Sequence, residues 1–146
     1  MDSQAGISGT PETGAWSIVV KGGGYKGLDK DTGDSITYSA PGASDTNSKT
    51  AESESRGAKC LLKSLENKQP VRVLRGEKTG WDGAPFSGLR YDGLYVVEGK
   101  EEGTNKKGGA YISFKLVRVK EQDPIKKKKC PNRAERDQYE KVIEGY

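Results

Sequence analysis

Short apolar runs separated by glycine-rich and charged segments make up the hydrophobic pattern of this chain. β-Branched and aromatic residues cluster in five of these runs, which predicts short strands. The predicted strands are Ala15–Val20, Ser35–Ser39, Pro70–Arg75, Leu89–Glu98 and Ala110–Val119. Gly93 interrupts the fourth run and predicts a bulge or a tight bend there. In the fifth run Ile112, Phe114 and Leu116 share one face, which is typical of a half-buried strand.

Two segments have the periodicity of an amphipathic helix. The first is Thr50–Glu66, which begins with a residue type that caps helix N-termini. Its apolar face consists of Ala58, Leu61, Leu62 and Leu65. The second is the short segment Arg133–Glu144, whose apolar stripe consists of Tyr139, Val142 and Ile143. The predicted loops are residues 1–14, the acidic turn Asp29–Gly33, Ala40–Asn47, Gly76–Gly88 and the charged hairpin loop Gly99–Gly109.

Together these elements predict an α+β fold. Strands that follow one another along the chain favour antiparallel pairing, and a single long crossing near the middle does not build a doubly wound sheet. We expect a strongly curved, partly open β-barrel with one or two flanking helices. A length of 146 residues favours one domain, which we place at residues 1–123. Residues 124–146 are then a basic C-terminal tail with a short helix.

Composition narrows the classes of function. The chain contains no histidine, which excludes Ser-His-Asp and Cys-His catalysis and histidine-based metal hydrolases. Cys60 and Cys130 are too few for a disulfide framework or a four-ligand zinc site, and we expect both to be reduced thiols. No apolar run approaches the roughly 20 residues of a membrane span, and the first residues lack the features of a signal peptide.

The net charge of +4 is unevenly distributed. Residues 71–120 carry ten basic and six acidic side chains, and residues 124–146 carry seven and four. Basic charge in the middle and the tail is compatible with nucleic-acid binding, and also with an ordinary basic domain. The run Lys126–Lys129 has three interpretations: a solvated tail, a nuclear localisation signal, or an arm that contacts phosphates.

Two short motifs suggest a cofactor or a metal, but their context weakens both interpretations. Gly22–Gly27 fits the GxGxxG pattern of dinucleotide-binding loops, yet an acidic loop follows it where such a site requires a helix. Asp29–Asp34 resembles the start of a calcium loop, but Gly33 occupies a ligand position and no glutamate follows at the required distance. We therefore predict no cofactor and no metal site. Taken alone, the acidic segment is best interpreted as a solvated turn.

The tetrapeptide Arg90–Gly93 resembles the motif that gives the SRA domain its second name, the YDG domain. Other segments match the same family in order and at similar spacing. They are Ala5–Gly9, Gly14–Tyr25, Asp29–Asp34, Thr37–Ser39, Asn47–Thr50, Pro70–Gly76 and Ala110–Val119. The resemblance runs from about Ala5 to Val119, and several motifs in the right order are far more specific than any one of them.

The resemblance implies a PUA-like curved barrel that binds double-stranded DNA containing 5-methylcytosine and swings the modified base into a pocket. Tyr25 and Tyr38 match the aromatic residues that stack on the flipped base, a contact suited to flat rings. Asp29 matches the residue that reads the base. A carboxylate accepts a hydrogen bond from the amino group of cytosine but would face the carbonyl oxygen of thymine, so an aspartate selects cytosine.

One inserted residue leaves the position of the base-reading aspartate open. Counting back from Tyr38 gives Asp29, whereas counting forward from Tyr25 gives Leu28, whose side chain cannot accept a hydrogen bond. Asp31 is the alternative acid. Backbone groups around Gly23, Gly24 and Ser39 are implied to complete the base edge.

Two further segments are implied to probe the duplex. Gln4 falls at the position of the residue that fills the gap left by the flipped base. Asn47–Thr50 matches the finger that enters the major groove. Within that finger, Asn47 is retained but Lys49 replaces the usual arginine, so a single-point donor stands where a fork would pair with guanine.

Taken as a whole, the resemblance implies a nuclear reader of 5-methylcytosine in DNA that works by base flipping. It implies no catalytic residues, no small-molecule substrate and no membrane, and it leaves room for other chromatin proteins as partners. Two alternatives remain open. One is the targeting domain of a modification-dependent nuclease without its catalytic part, and the other is a protein-interaction module that kept the fold and lost the pocket.

Overall fold

A computed structural model of the chain describes residues 6–21, 30–39 and 56–125, together with positions 138 and 141. The strands are β1 Ile7–Thr10, β2 Gly14–Val20, β3 Lys30–Asp31, β4 Ser35–Ser39, β5 Val71–Arg75, β6 Arg90–Thr104 and β7 Ala110–Arg118, and the helix is α1 Arg56–Asn67. The strands form one sheet in the order β1-β2-β5-β6-β7-β4-β3. The helix packs against β1, β2 and β6.

The sheet is mixed and does not close on itself within the described residues. Neighbouring strands pair antiparallel, except for β2 and β5, which run parallel. The parallel pair departs from the expected antiparallel pairing. It can form because β3, β4 and α1 lie between β2 and β5 in the chain, which gives the length that a parallel crossover needs. The predicted α+β class with a curved, open sheet is confirmed.

The core lies between the inner face of the sheet and α1. From the apolar face of the helix, Ala58 and Leu61 are fully buried, whereas Leu62 and Leu65 pack at the margin of the core. The strands contribute Ala15, Ile18, Val20, Ile36, Tyr38, Val71, Val73, Tyr95, Val97, Ile112, Phe114 and Leu116. No helix in the described part of the chain is long and apolar enough to cross a membrane.

The bulge predicted at Gly93 is confirmed. Leu74 pairs with Tyr91 and Arg72 pairs with Leu94, so two residues of β6 oppose one residue of β5. Gly93 has a φ of 105°, a backbone conformation that favours glycine. A bulge of this kind bends the strand and increases its twist, which helps the sheet to curve beside the polar cluster described below.

Two strands lie where the sequence predicted loops. The two-residue β3 falls in the predicted acidic turn Asp29–Gly33, where it pairs with β4. Residues 1–14 were expected to be irregular, but Ile7–Thr10 form β1, which pairs with β2 at an edge of the sheet. Its sequence, Ile-Ser-Gly-Thr, has a single large apolar residue and therefore no hydrophobic alternation. Its stability comes from backbone pairing, which the pattern of side chains does not reveal.

The hairpin between β6 and β7 is also longer than predicted. Gly99–Gly109 was expected to be a charged loop, but β6 continues to Thr104 and pairs there with Ala110. The turn is confined to residues 105–109, where the backbone NH of Asn105 donates to the carbonyl of Gly109 at 2.9 Å. Pairing with β7 thus overrides the low strand propensity of the charged residues, whose side chains remain exposed.

The end of α1 agrees with the prediction to within one residue. Within the described residues α1 begins at Arg56 and ends at Asn67, one residue beyond the predicted end. The predicted start at Thr50 lies outside the described residues. So does the predicted helix Arg133–Glu144, apart from positions 138 and 141, which are helical and exposed. The predicted domain boundary at residue 123 stays a prediction.

Cys60 should react with thiol reagents only when the domain opens. Its side chain is 1% exposed, and burial raises the pKa of the thiol despite the opposing charge of Arg56. In a Cys130→Ser background, we expect a disulfide reagent at neutral pH to modify the native protein at least about a hundredfold more slowly than the urea-unfolded protein, as for an opening free energy of about 3 kcal/mol. Equal rates would contradict the buried position.

Candidate nucleic-acid interface

Tyr38 and Ser39 are the two predicted pocket residues that the structure describes. Both lie on β4, where Tyr38 pairs with Phe114 and Ser39 with Ser113 of β7. Tyr38 is 7% exposed and belongs to the core cluster. Its hydroxyl approaches the N-terminal segment closely, since a Cβ on Gly6 would lie 3.4 Å from it. Tyr38 is therefore packed into the core on the inner face of the sheet, and its role in stacking stays a prediction.

The other predicted contact residues lie outside the described residues. They are Gln4, Gly23, Gly24, Tyr25, Asp29, Asn47 and Lys49. Their roles stay predictions. We call residues 25–39, which include the predicted pocket residues Tyr25, Asp29, Tyr38 and Ser39, the recognition segment. The structure describes its residues 30–39, which form β3, the turn at residues 32–34 and β4.

Asp31, the alternative base-reading acid, is buried and fully engaged in this structure. Its side chain is 2% exposed. One carboxylate oxygen accepts hydrogen bonds from Arg75 Nη2 at 2.9 Å and from the backbone NH of Gly33 at 2.9 Å. The other accepts from Arg75 Nε at 2.8 Å and from the hydroxyl of Thr79 at 2.6 Å. The expectation of a solvated acidic turn is wrong for this residue, because a buried arginine supplies its counter-charge.

Arg75 is the centre of a polar cluster of two arginines, two aspartates and one tyrosine, which we call the Arg75 cluster. Its members are Asp31, Arg75, Arg90, Asp92 and Tyr95. Arg75 pairs with Asp31 through one edge of the guanidinium and with Asp92 through Nη1. Arg90 donates to both carboxylate oxygens of Asp92. Two arginines thus face two aspartates, so the cluster is balanced in charge and its members are extensively hydrogen bonded.

The cluster also fixes the backbone of the turn after β3. The carbonyl of Gly33 accepts a hydrogen bond from Arg75 Nη2 at 2.8 Å and a second from the hydroxyl of Tyr95. Thr32 adds a bond from its backbone NH to the carbonyl of Ser35 at 3.0 Å. Because Arg75 and Tyr95 lie on β5 and β6, the turn is held by strands far from it in sequence.

Aromatic rings surround the guanidinium group of Arg75. Its Cζ atom lies 4.5 Å from the centroid of the Trp81 ring and 5.9 Å from that of Tyr95, both within the range of cation–π attraction. Burial alone would lower the pKa of Arg75, but the charge of Asp31 and the contact with Tyr95 raise it above its ordinary value. Burial raises the pKa of the Tyr95 hydroxyl, against the effect of Arg75. Arg75 therefore stays charged.

This arrangement determines what the segment can do chemically. Each oxygen of Asp31 already accepts two hydrogen bonds, so Asp31 is not available to the amino group of a base. Asp31 instead attaches the turn at residues 32–34 to β5, two residues after Asp29 in the sequence. Within the described residues, no three cysteine, aspartate or glutamate side chains are placed to hold a metal ion.

Known proteins match this chain over most of its length. A family model described as the SAD/SRA domain matches residues 1–122. The chain belongs to the SAD/SRA domain family. The SRA chain is 35% identical over 139 residues to a UHRF1-like protein of Cryptococcus neoformans, a match that covers 85% of this chain and 40% of that protein. The chain thus spans less than half the length of that curated relative.

Solved structures agree with the family assignment. The SRA domain of SUVH5 in a complex with hemi-methylated CG DNA is 33% identical, with a TM-score of 0.66, and the match covers 84% of this chain and 79% of that one. The modification-dependent TagI restriction endonuclease is 37% identical, also with a TM-score of 0.66, over 80% of this chain and 42% of that one.

The Arg75 cluster is the part of the SRA chain that sequence reasoning missed. The tripeptide at residues 91–93 served only to indicate the family, although Asp92 is 3% exposed and pairs with two arginines. The sequence of β5 does contain a pattern that predicts a buried Arg75. Side chains two apart on a strand share a face, so Arg75 shares the inward face of Val71 and Val73, whereas Arg72 is exposed.

Proposed function

We propose that this SRA domain binds double-stranded DNA containing 5-methylcytosine and holds the modified base outside the duplex. The observation that carries the proposal is the anchored turn after Asp29. A side chain that reads a base must be held in place before it can distinguish cytosine from other bases. The SUVH5 SRA domain, which this chain resembles, has been solved with hemi-methylated CG DNA and with fully hydroxymethylated CG DNA. We place the domain in the nucleus, with no catalytic role.

Asp29 reads the flipped base in this proposal. Asp31 is saturated by donors of the protein, which leaves Asp29 as the acid that can accept a hydrogen bond from the cytosine amino group. Tyr25 and Tyr38 supply the stacking surfaces, and the backbone around Gly23, Gly24 and Ser39 completes the base edge. Gln4, Asn47 and Lys49 contact the duplex that the base has left.

The decisive experiment compares methylated, hydroxymethylated and unmodified duplexes of one sequence. We expect tighter binding of the modified duplexes in a titration, and increased fluorescence of 2-aminopurine placed beside the modified base, because flipping unstacks it. Equal affinity for all three duplexes would refute the proposal. It would favour a protein-interaction module that kept the fold and lost the pocket.

A second candidate function is the targeting domain of a modification-dependent nuclease. The observation in its favour is the likeness to the TagI restriction endonuclease, of which this chain covers 42%. In that case the same pocket would direct a catalytic part that lies elsewhere. Incubation of methylated plasmid and Mg²⁺ with the natural protein that contains this domain separates the roles, because a reader leaves the plasmid intact and a nuclease cuts it.

Deletion of residues 126–146 should weaken binding to methylated and unmethylated DNA by the same factor. The deleted segment carries seven basic and four acidic residues, and phosphate contacts carry no base information. Binding becomes weaker as salt rises, and each lost phosphate contact should make the negative slope of log affinity against log salt shallower by about 0.9. The measurement is a salt titration of both duplexes, with the full chain as reference. A selective loss of methyl preference would contradict this role of the tail.

A further inference from the structure

We propose that the loop at residues 76–88 positions the recognition segment, and that Trp81 is its positioning residue. In this role Trp81 touches no base. It holds the turn at residues 32–34, so that Asp29 keeps the geometry required to read a flipped base. The inference rests on the proposed function, because it concerns how the same pocket is held.

The loop is attached to the Arg75 cluster at three points. Thr79 donates its hydroxyl hydrogen to Asp31 at 2.6 Å. The carbonyl of Gly83 accepts a hydrogen bond from Arg90 at 2.8 Å. Between these points the Trp81 ring covers the guanidinium of Arg75, with 4.5 Å between Cζ and the ring centroid. The loop therefore wraps around the group that holds the turn.

Two glycines allow the indole ring to lie so close to the turn. A Cβ on Gly33 would lie 2.7 Å from Trp81 Cε2, and a Cβ on Gly83 would lie 2.4 Å from Trp81 Cζ2. Such distances are well below ordinary van der Waals contact. Trp81 therefore packs between the turn and the opposite side of its own loop, and any side chain at Gly83 must displace it.

The consequence for recognition follows from chain length. Asp29 lies two residues before Asp31, a distance of about 7 Å at most along the chain. Fixing Asp31 and Gly33 therefore restricts the positions that Asp29 can take. If loss of the Trp81 contact reduces the recognition-competent fraction to a tenth, the apparent affinity for modified DNA falls about tenfold. Phosphate contacts elsewhere do not depend on this fraction.

Gly83→Ala is the sharpest test, because it displaces Trp81 and changes no charge. Gly99→Ala is the matched control, since no atom lies within 4 Å of the added Cβ and Gly99 is absent from the residues with positive φ. We expect Gly83→Ala to bind the methylated duplex about tenfold more weakly, with affinity for the unmodified duplex unchanged. Gly99→Ala should match the wild type, and Trp81→Phe, which keeps a ring over Arg75, should lose less than Gly83→Ala.

Hydrogen exchange tests the physical link without DNA. The backbone NH groups of Thr32 and Gly33 are both hydrogen bonded within the turn. They should exchange faster in Gly83→Ala than in the wild type or Gly99→Ala, at a temperature where all three are folded.

Unchanged exchange, or a lower melting temperature with unchanged methyl selectivity, would overturn the positioning role. If the wild type itself binds the three duplexes equally, the proposed function fails. The exchange experiment then still decides whether Trp81 holds the turn.

Discussion

Replacing Arg75 with methionine should lower the free energy of unfolding by about 3–5 kcal/mol. Asp31 would keep a side chain that is 2% exposed but would lose its counter-charge, and a buried unpaired carboxylate is strongly unfavourable. Asp92 would still pair with Arg90, so the cost falls mainly on Asp31 and the turn beside it. A typical domain has a total stability of about 5–15 kcal/mol, so this variant should be close to unfolding under mild conditions.

Arg72→Met is the matched control for this prediction. Arg72 lies on the same strand and carries the same charge, but its side chain is exposed. An exposed substitution of this kind should change the stability by no more than about 0.5 kcal/mol. Urea unfolding, followed by tryptophan fluorescence and circular dichroism, measures both variants. Similar losses in the two variants would mean that the Arg75 cluster does not stabilise the fold as its geometry indicates.

Hydrophobic alternation predicted the strands that bury one face against the core. β2, β4, β5 and β7 were all found within two residues of their predicted bounds, because each presents apolar side chains to one side. β1, the two-residue β3 and the outer half of β6 were missed for the opposite reason. Their side chains are mostly exposed or small, so these segments are stabilised by pairing with a neighbouring strand, and pairing partners leave no local pattern in a sequence.

In the candidate site, the ion-pair partner of Asp31 likewise could not be predicted from the local sequence. An acidic segment rich in glycine is normally solvated, and no neighbour in the sequence argues otherwise for Asp31. Its partner, Arg75, lies 44 residues away and is joined to it only by the fold. The inward register of Arg75 could have been inferred from Val71 and Val73, but the identity of its counter-charges could not. The family resemblance left Asp29 and Asp31 as alternative base-reading acids. The structure describes Asp31 as an anchor of the turn, and the reading role of Asp29 stays a prediction.

Asp29→Ala should reduce binding of methylated DNA about tenfold to a hundredfold and leave the stability of the domain unchanged. In the proposed pocket the cytosine amino group loses its acceptor in a site shielded by stacked rings, and an unpaired buried donor costs about 1–3 kcal/mol. Non-specific binding through phosphates should survive, so the affinity for methylated DNA falls towards that for unmodified DNA. The matched variant is Asp31→Ala, two residues further along the same segment.

Asp31→Ala, unlike Asp29→Ala, should lower the stability of the domain, because Asp31 pairs with Arg75 inside the fold. Its loss leaves a buried guanidinium with one carboxylate in place of two, so the free energy of unfolding should fall by about 3 kcal/mol or more. Because Asp31 also holds the turn beside Asp29, we expect part of the binding of methylated DNA to be lost as well. Titration of both duplexes, with 2-aminopurine fluorescence beside the target base, measures recognition, and urea unfolding measures stability. A folded, fully stable Asp31→Ala variant that no longer flips the base would assign the reading role to Asp31. If neither variant affects methyl preference, then neither acid reads the base, and the pocket lies elsewhere on the domain.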